Sequence, residues 1–252
     1  MSQKKLGNYS LHEKLGSGGF ATVYRSTHAN LGIEYAIKIL KQKYLDDEAV
    51  RERFVREAQT ASALEHSNIV RIHDLVNEPE NIYLVMDFLP EGDLYKWQSK
   101  KDAVSQSEYI SILGQIADAL DYAHSQENSI LHRDVKPSNI LMDQHGKAYL
   151  SDFGLVQIAK ASHLTQIGQV VGTPDYISPE MAESKQDIDG RSDQYSLAIV
   201  AYELLVGELP FTGDSPTSVS IMHVTKVLPV PSEINSELPI EFNDVLLNWT
   251  LD

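Results

Sequence analysis

Apolar residues fall at every second position over the first forty residues, the period of half-buried strands. Tyr9, Leu11 and Leu15 sit among polar neighbours, then comes Gly16-Ser17-Gly18-Gly19-Phe20-Ala21-Thr22-Val23-Tyr24. The turn Asn30-Leu31-Gly32 leads to a third strand, where Ile33, Tyr35, Ile37 and Ile39 share one face and Ala36 and Lys38 the other. Residues 47–65 switch to helical spacing, with Val50, Phe54, Ala58, Ala61 and Leu64 as the inward stripe and Asp46 or Asp47 as cap. Residues 68–76 and 82–88, joined by Asn77-Glu78-Pro79-Glu80, complete an antiparallel sheet of five strands.

Past Leu89-Pro90-Glu91-Gly92 the pattern becomes mainly helical. Residues 107–125 predict an amphipathic helix, with Ile110, Leu113, Ile116, Ala117, Leu120 and Ala123 inward. Residues 193–207 are apolar nearly all round and predict a helix in the centre of the lobe, ended by Gly207 and Pro210. Two more helices are expected over 216–226 and 240–251. Between them, residues 155–171 have no clear period, and Pro174 and Pro179 exclude regular helix over 172–180.

The stretch 130–154 is different. Three short apolar runs (130–131, 140–142 and 148–150) are separated by polar residues, and Asp143-Gln144-His145-Gly146 reads as a hairpin turn with Gly146 at positive φ. That hairpin would gather Asp134, Lys136 and Asn139 at one end and Asp152 just beyond the other. Two carboxylates, an amide and an ammonium at one point are costly to desolvate unless a metal or charged ligand compensates. Taken alone, the stretch reads equally well as a solvated polar loop.

Two other features carry chemistry. A small residue, Ala36, beside the lone ammonium of Lys38 suits a pocket for a flat ring and a phosphate. Glu57 lies on the inward stripe of its helix and needs a partner, for which Lys38 is the available strand ammonium; a swing of the helix would break that pair. The glycine run by itself also reads as a flexible turn. A dinucleotide fingerprint fails on context, because Val23-Tyr24 continues as strand instead of opening a helix.

Composition narrows the ligands. With 42 % apolar and 23 % charged residues the chain is globular. Its net charge of −15 argues against nucleic acid and anionic membranes. A phosphate must therefore be held by local lysine, metal and backbone amides. No cysteine is present, which fits a reducing compartment. No apolar run is long enough for a membrane span, and residues 1–5 are expected to fray.

Taken in order, Gly16-x-Gly18-x-x-Ala21-x-Val23, Ala36-Ile37-Lys38, Glu57, His132-Arg133-Asp134-x-x-x-x-Asn139, Asp152-Phe153-Gly154 and Ser178-Pro179-Glu180 resemble the protein kinases from Tyr9 onward. Ala21 stands where a third glycine is usual, and Ser178 where alanine is. Lys136 and Gly172-Thr173-Pro174 look like the serine/threonine branch, and residues 172–180 are similar to the bacterial Hanks-type kinases. The resemblance implies an α+β, bilobal protein-kinase-like fold over 9–252. Its N-lobe (9–88) would hold a five-stranded antiparallel sheet with one helix, and its C-lobe (89–252) would be mainly helical. It implies transfer of the ATP γ-phosphoryl group to Ser/Thr hydroxyls of proteins, the chain itself included. An ATP-binding pseudokinase-like scaffold is the rival, disfavoured because Lys38, Asp134, Asn139 and Asp152 are all present; a small-molecule kinase is disfavoured by the protein-substrate platform at 172–180.

The implied roles follow residue by residue. Asp134 takes the hydroxyl proton, Lys136 neutralises developing charge, and Thr173 bonds near both. Lys38, fixed by Glu57, grips the α- and β-phosphates, and Asn139 and Asp152 hold Mg²⁺. Leu15, Gly16, Ser17, Gly18, Gly19, Phe20, Ala21, Thr22 and Val23 cover the nucleotide. Ala36, Met86, Asp87, Leu89, Asp93 and Leu141 complete its pocket, although Met86 reads equally as core. Arg133 would pair with a phosphate on Thr165 or, second, Ser162. Partners are ATP and protein substrates; localisation is cytoplasmic, any anchor lying beyond Asp252. The family's Arg partner for Glu180 is missing before Asp252, which implies a truncated C-lobe and an unpaired carboxylate costing on the order of 3 to 5 kcal/mol if buried.

Overall fold

The computed structural model describes residues 5–153 and 174–248. Strands β1 (Lys5–Leu6), β2 (Tyr9–Ser17), β3 (Ala21–His28), β4 (Glu34–Leu40), β5 (Ile72–Asn77) and β6 (Ile82–Asp87) form an antiparallel sheet in the order β1-β2-β3-β4-β6-β5. Helix α1 (Glu48–Ser62) packs on it. The alternation in β4 holds: Ala36, Lys38 and Leu40 are buried on the face toward α1, and Tyr35, Ile37 and Ile39 pack on the opposite face. Asp47 caps α1 by accepting from the Val50 amide at 3.1 Å.

The sheet has six strands, not five. Gly7, at φ 54°, lets the chain reverse within two residues, so Lys5 and Leu6 pair with Ser10 and Tyr9 and Lys5 is not frayed. β5 also starts four residues later than expected. Residues 68–70 pair elsewhere: Leu150 N–H donates to Asn68 C=O (2.8 Å) and Val70 N–H to Leu150 C=O (2.9 Å), a parallel bridge to the other lobe.

That second lobe contains α2 (Leu94–Ser99), α3 (Gln106–His124), α4 (Pro179–Ala182), α5 (Arg191–Val206), α6 (Pro216–Thr225), α7 (Pro231–Ile234) and α8 (Glu241–Asn248). A small sheet of β7 (Gly92–Asp93), β8 (Ile140–Met142) and β9 (Ala148–Leu150) lies at the groove. Ser105 and Glu108 form a capping box on α3. The inward face of α3 is Tyr109, Ile112, Leu113, Ile116, Ala119, Leu120 and Ala123; Ile110 is exposed instead, because the stripe is rotated by one position. Pro179 does not prevent a helix. It opens α4, where its missing N–H has no bond to lose, and Ser178 caps the Met181 amide. The short α7 has no counterpart in the sequence pattern.

α5 is buried around its circumference, with Ile199 and Tyr202 fully enclosed, and Gly207 closes it at φ 99°. Ile199→Ala should therefore cost about 2–5 kcal/mol in urea unfolding, from lost transfer energy and the cavity left behind. Ile221→Ala on exposed α6 surface should stay within about 0.5 kcal/mol. Equal midpoints for the two variants would contradict this account of the core.

Candidate active site

The polar loop between α3 and β8 is held from below. Asp193, fully buried near the start of α5, accepts from the His132 amide (2.8 Å), the Arg133 amide (2.7 Å) and His124 Nε2 (2.8 Å). These bonds hold Arg133 at φ 64°, a left-handed geometry that a long side chain rarely adopts. A Cβ on Gly190 would lie 2.6 Å from His124 Nδ1, so glycine is needed for His124 to reach Asp193. His132, also fully buried, donates from Nε2 to the Ser151 carbonyl (2.7 Å) and accepts at Nδ1 from the Asp134 amide (3.2 Å). Since a carbonyl only accepts, the proton is on Nε2.

Above this base the side chains converge as the sequence implied. Lys136 Nζ reaches both Asp134 oxygens, at 2.9 and 2.8 Å. Asn139 Nδ2 donates to the Asp134 carbonyl (2.8 Å) and to its Oδ2 (3.0 Å). The β8–β9 hairpin turns at Gly146, φ 78°. Ser151 then ties back to the Asn139 carbonyl through its N–H (2.9 Å) and Oγ (3.0 Å). Asp152 follows at φ 68° and accepts from Lys38 Nζ at 2.7 Å. Among the described residues, Asn139 Oδ1 and Asp152 Oδ2 have no hydrogen-bond donor, and no group of three or more His, Cys, Asp and Glu gathers elsewhere. Two free hard oxygens at the groove fit a cation such as Mg²⁺ that keeps waters and phosphate as its other ligands.

The Lys38–Glu57 pair is not formed. α1 is turned so that Glu57 faces inward, but Lys38 engages Asp152, and both Glu57 oxygens are buried without a hydrogen-bond partner among the described residues. Burial pushes the Glu57 carboxyl up to about 8, with Lys38, Arg53 and Arg133 acting against it and Asp152 with it. The carboxyl is thus mostly protonated at neutral pH. Lys38, Glu57, Met86, Asp152 and Phe153 line one cavity.

Leu15, Val23, Ala36, Met86, Leu89 and Leu141 belong to one apolar cluster. Leu89 C=O accepts from Gly92 N–H and Asp87 N–H donates to Arg71 C=O, while the Leu89 N–H has no protein acceptor among the described residues. Asp93 caps α2 through the Lys96 amide (2.9 Å) and pairs with Lys96 Nζ (2.9 Å), so its carboxylate is already engaged. In the flap, Ser17 and Thr22 face each other across the β2–β3 register. None of Gly16, Gly18 and Gly19 has positive φ, and a Cβ on any of them would meet nothing within 4 Å. The fold itself therefore gives no reason for these glycines; close approach of a ligand does.

Thr173, Thr165 and Ser162 lie outside the described residues. Glu180 is half-buried, so the penalty of a fully enclosed unpaired carboxylate does not apply. The sequence reading missed Asp193, His124 and Ser151. It also missed a clasp on β9: Asn68 Nδ2 donates to the Ala148 carbonyl (2.8 Å) and to Gln115 Oε1 (2.9 Å), which also accepts from the Ala148 amide (3.0 Å). A buried Asp at the first turn of an apolar helix was the only visible signal for any of them.

A six-stranded lobe with one helix, a helical lobe and a polar loop between them define the protein-kinase fold. The chain belongs to the protein kinase domain family, which matches residues 9–249. It is 36% identical over 244 residues to serine/threonine-protein kinase PrkC of Bacillus subtilis, covering 97% of this chain and 37% of that one. It is 38% identical over 249 residues to the DNA damage-responsive serine/threonine-protein kinase RqkA of Deinococcus radiodurans, covering 97% and 36%. The crystal structure of the PknI kinase domain of Mycobacterium tuberculosis, a point mutant, is similar at a TM-score of 0.73 and 27% identity, over 99% of this chain and 90% of that one. The chain thus spans a little over a third of the length of these curated relatives.

Glu57 generates a pH prediction. Its folded pKa is about 8 and its ordinary value 4.5, so the folded state holds a proton that the unfolded state has released between these limits. The carboxyl therefore lowers stability progressively from pH 4.5 to 8. Glu57→Gln should stabilise the nucleotide-free protein by about 1–3 kcal/mol at pH 8, allowing for partial exposure, and by almost nothing near pH 5. Urea unfolding of both forms at the two pH values tests this; a gain independent of pH would rule out the ionisation account.

Proposed function

We propose that this chain transfers the γ-phosphoryl group of ATP to Ser or Thr hydroxyls of proteins, its own included. The observation that carries the reading is the Asp134 carboxylate, fixed between Lys136 and Asn139 beside the Lys38–Asp152 pair. The acceptor hydroxyl oxygen bonds to the γ-phosphorus as the bond from that phosphorus to the β–γ bridging oxygen breaks. ADP leaves, and the hydroxyl proton passes to Asp134 late in the step. Lys136 offsets charge on the moving group. Lys38, on leaving Asp152, grips the α- and β-phosphates and Glu57, deprotonated, closes behind it. Asn139 and Asp152 hold Mg²⁺, whose charge neutralises the phosphate oxygens when bound. Thr173 is assigned to hydrogen bonding beside Asp134 and Lys136.

The ring sits among Leu15, Val23, Ala36, Met86 and Leu141, with the Leu89 N–H at its edge, and Gly16 to Thr22 lie over the phosphates. We place the lobe boundary at 88/89 within a kinase domain beginning at residue 9. Arg133 Nε is buried without a hydrogen-bond partner among the described residues, which supports a phosphate on Thr165, or else Ser162, as its regulatory partner. A phosphosite map of active protein lacking both would remove that role. No helix among the described residues is long and apolar enough to cross a membrane. The absence of cysteine supports a cytoplasmic setting, and the net charge of −15 supports protein over nucleic acid as partner.

The test is transfer from Mg-ATP to the chain and to an added protein, read by mass spectrometry. Asp134→Asn should lower kcat by about 10²–10⁴-fold. Lys38→Met should abolish transfer to a similar degree while leaving unfolding cooperative. Undiminished transfer by a folded Asp134→Asn variant would reject the assignment, and absence of transfer by the parent would favour a nucleotide-binding scaffold.

A further inference from the structure

One half-buried lysine outside the expected site holds the whole tip of the glycine flap. Lys41 Nζ donates to the Gly18 carbonyl at 2.5 Å and to the Gly19 carbonyl at 3.3 Å, and the Lys41 amide donates to the Phe20 carbonyl at 2.8 Å. Three consecutive carbonyls thus point to one residue. Because a peptide unit is planar and trans, each N–H is directed opposite to the C=O of its own unit. The N–H groups of Gly19 and Phe20 are therefore turned away from Lys41. Neither has a protein acceptor among the described residues, whereas the Gly18 N–H closes the turn onto Ala21 C=O at 3.0 Å.

The tip is anchored a second way. The Phe20 ring packs against Tyr44, centroids 4.9 Å apart, and Tyr44 is buried with Leu45, Val50 and Phe54 at the foot of α1. With no Cβ on Gly18 or Gly19 in the way, the two successive amides without a protein acceptor face the side away from Lys41, where phosphate oxygens can approach. We propose that Lys41 is a positioning residue for nucleotide phosphates: it touches no nucleotide itself, but fixes the peptide planes that present the Gly19 and Phe20 amides. The proposal rests on the ATP reading above. Lys41 is brought to the tip by the β3–β4 register, which places Ala21 opposite Leu40.

The experiment compares the parent chain with Lys41→Met, which keeps the stem and removes the ammonium, and Lys41→Arg, which restores a cation. Affinities for ADP and adenosine are measured by calorimetry, and KM for MgATP and kcat by transfer to a protein acceptor. Lys41→Met should weaken ADP and raise KM for MgATP about 3–10-fold, equivalent to about 0.7–1.4 kcal/mol. Adenosine, which has no phosphate, should bind as to the parent, kcat should change less than about twofold, and Lys41→Arg should recover most of the loss. Unchanged ADP affinity in Lys41→Met overturns the proposal. Equal weakening of ADP and adenosine overturns it too, since that marks general loosening of the lobe. A loss confined to ATP means direct contact with the γ-phosphate and likewise excludes a positioning role. A parent that binds neither ADP nor adenosine instead removes the ATP reading, and this inference with it.

Discussion

The site depends on one buried carboxylate, Asp193. A carboxylate enclosed beside an apolar helix is tolerable only when its oxygens find donors, and here two backbone amides and an imidazole supply them. The two amides belong to His132 and Arg133, so solvating Asp193 and shaping the polar loop that carries Asp134 are one event. The left-handed backbone at Arg133 persists because the surrounding bonds determine it. From there the geometry propagates upward through His132 to Ser151, through Ser151 to Asn139, and through Asn139 to Asp134. A loop that looks flexible by composition is thereby fastened at four consecutive levels.

Lys38 shares a cavity with two carboxylates and engages one. It takes Asp152, whose side chain is partly exposed, and leaves Glu57 in a low-dielectric pocket where protonation is the cheaper solution. The arrangement is internally consistent: a neutral Glu57 does not compete for the lysine, and a lysine bound to Asp152 does not lower the Glu57 pKa enough to ionise it. A polyphosphate at Lys38 would alter this balance, because it supplies negative charge to the lysine from outside the protein and frees Asp152 for a cation. The stability of the fold and an ionised Glu57 thus oppose each other at one residue.

The two lobes are joined by more than the covalent chain. Residues 68–70 leave the upper lobe to run beside β9, and Asn68 and Gln115 clasp the edge of the same strand. β9 delivers Asp152, so the residue that faces Lys38 is located by hydrogen bonds from both lobes. At the other edge of the groove, the flap tip rests on Lys41 and Tyr44 at the foot of the helix that carries Glu57. Both devices are long-range contacts between ordinary residues, which is why neither has a motif.

Periodicity was enough to read the five main strands, the helix bearing Glu57, the buried α5 and the Gly146 hairpin, because solvent exclusion imposes the period of each element directly on the chain. Residue order was enough to group Asp134, Lys136, Asn139 and Asp152, since Asp134, Lys136 and Asn139 lie on one short loop and Asp152 follows its hairpin. The errors fell where partners are chosen across space. Leu6 found a sixth strand position through a two-residue reversal at Gly7, Ile110 turned outward with a slight rotation of α3, and Lys38 chose Asp152 over Glu57. Sequence by itself determined which groups would have to be buried and which backbone conformations were permitted. Only the tertiary structure decided which charge met which, because Coulomb and desolvation energies depend on distances of a few ångströms that no local pattern encodes.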